Sequence, residues 1–312
     1  MFSGRDFPRH LAASAAALTL SLFSANDPPM HYNYAMPKQI VFFGSSPFSI
    51  IILEKLLADP NAQGSTLCAV VTTPDKPAGR HLKLTPNPVK VFAQSHNVPV
   101  FDNIHDFLVK DWPNCIGLVA AYGKLIGPKT LNKLNNQIFG IHPSLLPKYR
   151  GPSPLQQQII NGNTETGVTI LKIDLGEDTG PIMVQEKDIV SPGDTWITLG
   201  NRLFAKGTDL FLLQLHKEVP CKTKKQNNTE ATYTRKLTRQ DGLVSWDEFN
   251  QQLKTNDKLL NQKLRAYAQW PGVWTINPDG KRLKLISLKP KIIVQEEGKL
   301  PTSLPPLSSN PH

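Results

Sequence analysis

The sequence predicts an α/β fold, a Rossmann-like and mostly parallel sheet followed by a smaller β-rich region. Three observations carry this expectation. Residues 39–44, 67–72 and 116–121 are short, continuously apolar runs, the pattern of strands buried on both faces. Segments with helical spacing separate them, and strands alternating with helices build a parallel sheet covered on two sides. Basic residues also collect late in the chain. Residues 221–300 hold 16 Lys and Arg against 8 Asp and Glu, which places +8 of the net charge of +10 in that stretch.

A chain of 312 residues with 39% hydrophobic content buries a real core and fits one large and one small domain. The pI near 9.4 suggests a polyanionic partner, although basicity also serves plain solubility. Cys68, Cys115 and Cys221 are odd in number, far apart in sequence and outside metal-ligand spacing. This usage fits a reducing compartment without a disulfide framework. Residues 1–35 stand apart. Their apolar stretch 11–23, preceded by Arg5, Arg9 and His10, resembles a signal-peptide core and is short for a membrane span. Its Arg, Ser and Ala content also fits a weak organellar presequence. Met36, directly before the first strand, looks like a natural start, so 1–35 is taken as a leader or mis-assigned start, disordered and outside the fold.

After the strand at 39–44, residues 49–59 read as a helix, with Ile51, Leu53, Leu56 and Leu57 supplying apolar surface. The strand 67–72 runs into 73–83, a segment too rich in Pro, Gly and charge to be an element. A helix over 89–96, strands at 98–101 and 116–121, a helix around 128–134 and a strand at 138–141 follow. The first strand-to-helix turn carries only Gly44 with Ser45, Ser46 and Pro47. It lacks the three-glycine dinucleotide pattern, and there is no P-loop, so neither NAD nor ATP is inferred. Next come a helix at 154–161, strands at 167–173 and 182–186, and a long helix capped by Asp194 and running to about Lys217. Residues 219–230, Lys- and Asn-rich without apolar periodicity, read as an interdomain linker. Beyond it, 249–267 looks helical, strands 273–276 and 283–286 flank a Pro278-Asp279-Gly280 turn, and 291–295 adds a third strand. The Pro/Ser-rich tail 300–312 is expected to be disordered.

Chemistry concentrates at two strand ends. His142 closes the apolar run 138–141, and Asp178 sits in a Gly-flanked turn after 169–173. Strand ends that turn into loops are where α/β proteins display reactive groups. A histidine beside a carboxylate can be a base and its orienting partner. A structural histidine with a turn-forming aspartate is the plainer alternative for the two residues taken alone.

Their setting favours the first reading. Phe43-Gly44 with Pro47-Phe48, Pro74-Asp75-Lys76-Pro77-Ala78-Gly79-Arg80, Ala121-Tyr122-Gly123, His142-Pro143-Ser144-Leu145-Leu146-Pro147 with Arg150-Gly151, Thr166-Gly167-Val168-Thr169, Asp178-Thr179-Gly180, Ala231-Thr232-Tyr233 and Trp270-Pro271-Gly272-Val273-Trp274 occur in this order. Over roughly residues 37–300 the chain resembles the formyltransferases that use 10-formyltetrahydrofolate, most closely the branch acting on methionyl-tRNA. The resemblance implies a formyltransferase fold at 36–218, then at 231–299 a basic OB-like domain, abridged here because too few strand-like runs remain for five strands. It implies transfer of a formyl group from 10-formyltetrahydrofolate to the α-amino group of methionyl-initiator tRNA, for translation initiation. It casts His142 in proton handling with Asp178 as its partner. Ser144, Leu145, Leu146 and Pro147 resemble the folate-binding loop. Arg80, with Lys76 and Lys83, would enter the tRNA acceptor end, where a solvated basic loop is the plain alternative.

One residue departs from the pattern. The family places Asn where this chain has Gly140, and that Asn is the expected oxyanion donor. Loss of such a donor costs on the order of 10²–10³ in rate. A water or backbone N–H, the side chain of Asn136 or Gln137, or a weakened enzyme are the three explanations. The resemblance implies no metal, no membrane attachment, a monomer and a cytoplasmic location, or an organellar one if 1–35 is a presequence. Two rivals remain: a formyltransferase acting on an amino-sugar nucleotide, and a non-catalytic folate- or tRNA-binding homologue.

Overall fold

A computed structural model describes residues 39–59, 66–78, 83–216, 222–255, 258–288 and 291–304. The first strand, β1 (Gln39–Phe43), is apolar throughout after Gln39 and leads into helix α1 (Pro47–Ala58). Proline at the first helical position needs no N–H there, which fixes the start four residues beyond the strand. Strand β2 (Thr66–Val71) follows, then β3 (Lys76–Ala78) and β4 (Lys83–Thr85), which pair antiparallel. The expectation of no element across 73–83 is therefore corrected. Asp75 fastens the ribbon by accepting from the Asn87 backbone N–H at 3.0 Å and pairing with Lys90 at 3.1 Å. Pro77 is accommodated because a two-stranded ribbon has free edges. Arg80 lies outside the described residues.

Helix α2 (Pro88–Ser95), strand β5 (Val100–Phe101), helix α3 (Ile104–Leu108) and strand β6 (Cys115–Val119) come next. They are followed by α4 (Pro128–Lys133), β7 (Ile138–His142), α5 (Pro154–Ile160), β8 (Glu165–Lys172), β9 (Ile182–Ile189) and α6 (Trp196–Leu215). The seven-stranded sheet runs β5-β2-β1-β6-β7-β8-β9. Strands β5 through β7 in that order are parallel, and β8 and β9 turn antiparallel at one edge. Successive residues of β1 face opposite layers, as a period of two requires. Ile40 and Phe42 join the layer containing Phe48, Leu199 and Phe211, while Val41 and Phe43 join the layer containing Phe107, Leu131 and Leu134.

The long helix α6 is capped by Thr195 and not by Asp194. The Thr195 hydroxyl accepts from the Thr198 N–H at 3.2 Å, and Asp194 instead accepts from the Ser191 N–H and pairs with Arg202 at 2.7 Å. A hydroxyl one residue closer to the first turn reaches the orphan N–H, and the carboxylate is free for the arginine. Helices α7 (Trp246–Thr255) and α8 (Lys258–Ala266) occupy the stretch expected as one helix. A four-stranded antiparallel sheet of β10 (Val273–Ile276), β11 (Arg282–Ser287), β12 (Ile293–Glu296) and β13 (Thr302–Ser303) follows. Val244, Phe249, Leu260, Val273 and Leu285 belong to the same buried cluster as α1 and α6, so this region shares their core. The expectation of a disordered tail from residue 300 is corrected at its start, because Thr302 and Ser303 form β13 and pair with Val294 and Ile293; residues 305–312 lie outside the described residues.

Cys68 and Cys115, distant in sequence, meet across the sheet with Sγ atoms 3.6 Å apart, both as free thiols. Burial, with Cys115 beside it, pushes the Cys68 thiol up to about 12. Among the described residues no helix is long and apolar enough to cross a membrane, and no group of His, Cys, Asp or Glu is placed to hold a metal ion.

Candidate active site

Strand order reverses around β1: β2 lies on one side and β6 on the other. In an open α/β sheet a crevice forms at the carboxyl ends of strands at such a point. The loops after β1 and β6 are joined at their start, where the Ser45 N–H donates to the Ala121 carbonyl at 3.2 Å. A cavity of about 450 Å³ opens at this position. Ser46 and Phe48 line it from the first turn, residues 119–126 from the second, Gly140 to Pro143 from the end of β7, and residues 173–178 from the loop after β8. Trp196, Phe204, Phe48 and Leu155 make one wall apolar. The volume lies within the range of small-molecule sites.

His142 is buried, 6% exposed, at the last position of β7. Its Nε2 stands 2.9 Å from the Tyr149 carbonyl oxygen. A carbonyl only accepts, so Nε2 carries the hydrogen and donates it. That fixes the tautomer of the neutral ring and leaves the lone pair on Nδ1. Nδ1 lies 3.4 Å from Asp178 Oδ2. The same carboxylate oxygen accepts from the Gly151 N–H at 2.8 Å. The structure therefore brings together the two residues that the sequence singled out, and adds two backbone groups that no residue pattern could reveal.

Asp178 holds φ +54, in the left-handed region that Asp tolerates better than most residues. Its loop is closed locally by Asp174, whose Oδ1 accepts from Gly176 N–H at 3.0 Å and from the Thr179 hydroxyl at 2.7 Å. Gly180 is required there, since a Cβ would fall 1.8 Å from the Lys172 carbonyl oxygen.

Ser144, Leu145, Leu146 and Pro147 follow His142 directly but are absent from the cavity lining. Their polar atoms are spent on the fold. The Ser144 hydroxyl donates to the Lys148 carbonyl at 2.7 Å, Leu146 N–H donates to the Thr169 hydroxyl at 3.1 Å, and the Leu146 carbonyl accepts from Gln185 at 2.8 Å. Leu145 packs where a Cβ on Gly167 would stand. Lys76 and Lys83 are exposed on the β3–β4 ribbon, away from the cavity lining.

Gly140 lines the cavity beside His142. A Cβ built on it would lie 2.8 Å from Ile173 Cδ1 and 3.0 Å from Leu171 Cδ2, so these two side chains fill the room that an asparagine would take. Asn136 and Gln137 precede the start of β7, at the opposite end of the strand from His142, and do not line the cavity. The expectation that one of them substitutes as oxyanion donor is overturned by this placement. Four other residues with side-chain donors line the cavity, and those donors have no hydrogen-bond partner among the described residues: Ser46, Tyr122, Lys124 and Gln156. Burial pushes the Tyr122 phenol up, which keeps its proton in place at neutral pH. Of these groups only Gln156 has the amide chemistry of the residue replaced.

Comparison with known proteins agrees with this geometry. A family model described as "Formyl transferase" matches residues 38–215. The methionyl-tRNA formyltransferase of Dehalococcoides mccartyi strain CBDB1 is 35% identical over 262 residues, covering 81% of this chain and 80% of that protein. The protein of the same name from Caldicellulosiruptor saccharolyticus is 37% identical over 254 residues, covering 79% and 78%. Among solved structures, a sugar 3N-formyltransferase in the presence of dTDP and 5-N-formyl-THF superposes with TM-score 0.59 at 19% identity, covering 84% of this chain and 98% of that one. A 4-N-formyltransferase from Francisella tularensis gives TM-score 0.58 at 17% identity, covering 79% and 96%. At these identities the structural likeness speaks to the fold.

Proposed function

We propose, from the premise that this chain belongs to the formyl transferase family and within it to the methionyl-tRNA formyltransferases, that it formylates the α-amino group of methionyl-initiator tRNA. The observation that carries the reading is the His142–Asp178 pair, Nδ1 to Oδ2 at 3.4 Å, set in the cavity at the sheet's switch point. A 10-formyltetrahydrofolate bound in that cavity supplies the formyl group. The residues present suit such a co-substrate: an apolar wall for a flat ring system, and a polar end where His142 and Asp178 meet.

An attacking amine must lose a proton, and a leaving nitrogen must gain one. With Nε2–H committed to the Tyr149 carbonyl, the acceptor is Nδ1 of His142. The imidazolium formed there faces the Asp178 carboxylate, which offsets the new charge inside a buried site. The same Nδ1–H can then return the proton to the leaving nitrogen. Charge developing on the formyl oxygen needs a donor, and with Gly140 in place of an asparagine the Gln156 amide takes that role in our reading. The basic carboxyl-terminal third and the β3–β4 ribbon with Lys76 and Lys83 provide the positive surface for the tRNA backbone, and Arg80 adds charge in the sequence between those two lysines. We propose a cytoplasmic location, or an organellar one if residues 1–35 are a presequence.

The test is single-turnover formylation of methionyl-initiator tRNA with 10-formyltetrahydrofolate, comparing the parent chain with His142→Ala. Activity abolished by the substitution supports the reading. A parent chain inert with tRNA but active on an amino-sugar nucleotide would move it to the sugar formyltransferases.

A further inference from the structure

The segment from Lys222 to Thr234, whose first part falls in the stretch 219–230 that the sequence reads as an interdomain linker, is fastened to the reactive end of the sheet. Lys224 and Ile182 exchange both backbone hydrogen bonds at 2.7 Å. Arg150 N–H donates to the Thr232 carbonyl at 2.9 Å, and Thr234 N–H donates to the Arg150 carbonyl at 2.7 Å. Between these anchors sits Gln226, 6% exposed. Its Nε2 donates to the Asp178 carbonyl at 2.8 Å and to the Gly180 carbonyl at 2.7 Å. Its Oε1 accepts from Arg150 Nε at 3.0 Å and from Nη2 at 2.8 Å. The orientation is dictated by chemistry, because guanidinium only donates and carbonyls only accept. Every hydrogen-bonding position of the amide is filled.

We infer that Gln226 is a positioning residue of the catalytic centre, holding the Asp178 carboxylate opposite Nδ1 of His142. This rests on the reaction proposed above. Asp178 adopts a positive φ that its surroundings must over-determine, and Gln226 grips the carbonyls of the two residues that flank Thr179. The other arm grips Arg150, whose neighbour Gly151 donates the N–H that anchors Asp178 Oδ2 at 2.8 Å. One side chain thus ties together the two segments that define where the carboxylate stands. Arg150 is 1% exposed and completes its set with Asn228 Oδ1 at 2.9 Å and Tyr233 Oη at 2.8 Å, both from the same strap.

Gln226→Glu separates the two arms. It keeps an oxygen for Arg150, now as a charge pair, and replaces both donors to the Asp178 loop by a lone-pair-bearing oxygen facing two carbonyls. Gln226→Asn keeps the amide but is one methylene too short to span both sides. In the full chain each variant is expected to lower kcat about tenfold to a hundredfold, with KM for either substrate moved by less than about threefold. Thermal midpoints for Gln226→Glu are expected to stay within about 4 °C of the parent. Hydrogen exchange at the Gly151 amide, whose acceptor is Asp178, is expected to speed up while amides in β1 stay protected. A parent-like kcat in Gln226→Glu, a KM effect alone, or failure of both variants to fold overturns the inference. If the parent itself does not formylate methionyl-tRNA, the reaction assignment has failed. Gly151 exchange still decides the positioning role, upheld by lost protection and overturned by retained protection.

Discussion

Nε2 of His142 donates to the carbonyl of Tyr149 at 2.9 Å, and this one bond decides which ring nitrogen is left for chemistry. The free lone pair is on Nδ1, the nitrogen that faces Asp178 at 3.4 Å. The first prediction follows. Asp178→Asn keeps an oxygen for the Gly151 N–H but removes the charge that offsets an imidazolium and can turn an amide donor onto the Nδ1 lone pair. We expect kcat to fall by about 10²–10⁴, in line with loss of general acid–base catalysis, with folding stability changed by no more than about 1 kcal/mol. Steady-state kinetics and urea unfolding check both halves. An undiminished kcat would remove Asp178 from the mechanism.

Gly140 gives the second prediction. Ile173 Cδ1 and Leu171 Cδ2 stand 2.8 and 3.0 Å from the place of its absent Cβ. Gly140→Asn therefore overpacks a filled site, at an expected cost of about 1–3 kcal/mol. Adding Ile173→Ala opens the room and should return much of that loss in the double variant, a coupling that additivity excludes. Denaturant midpoints of the parent, the two single variants and the double variant give the cycle. Purely additive losses would mean that Ile173 does not occupy the asparagine position.

How far the sequence reaches depends on what each residue's role requires. The parallel sheet was legible because buried strands are apolar, β6 throughout and β1 after Gln39, and His142 and Asp178 were legible because they sit at strand ends in a recurrent order of motifs. Gln226 was not legible: one glutamine in a Lys- and Asn-rich stretch has no periodicity, and its importance exists only once β9 pairs with Lys224. The Tyr149 carbonyl and Gly151 N–H are backbone groups that every residue carries, so no side-chain pattern marks them. The β3–β4 ribbon was hidden for the opposite reason. Its Pro and charge discourage a strand in isolation, while Lys90 and Asn87 fasten it from α2 and its cap.

A third prediction concerns Gln156, a cavity-lining residue whose amide has no partner among the described residues. A side chain that makes no internal hydrogen bond can be replaced by an apolar one of similar size without leaving a buried group unsatisfied. We expect Gln156→Leu to shift stability by less than about 0.5 kcal/mol. If the amide serves the oxyanion in place of the missing asparagine, the single-turnover rate falls by about 10²–10³. A parent-like rate would shift the donor role to Ser46, Tyr122 or Lys124.

The last prediction is a pH dependence of stability at Asp241. The Arg235 guanidinium beside it, together with the Thr238 N–H and hydroxyl, holds its carboxyl well below the usual carboxylate range, at about 2. The side chain is 9% exposed, so solvent screens this pairing little from the carboxylate side. Unfolded, the group returns to about 3.9. A folded value depressed below the unfolded one contributes stability that is fully present above about 3.9 and is lost as pH falls through that value towards 2. Asp188 and Asp194 act in the same direction: burial alone would raise them, but hydrogen bonds and charge from Lys206 and Arg202 outweigh it. Urea unfolding at pH 5 and pH 2.5 should therefore show a smaller acid loss in Asp241→Asn than in the parent, with the variant less stable at pH 5. Equal acid losses in the two proteins would mean that the Asp241–Arg235 pair contributes nothing to the acid sensitivity of the fold.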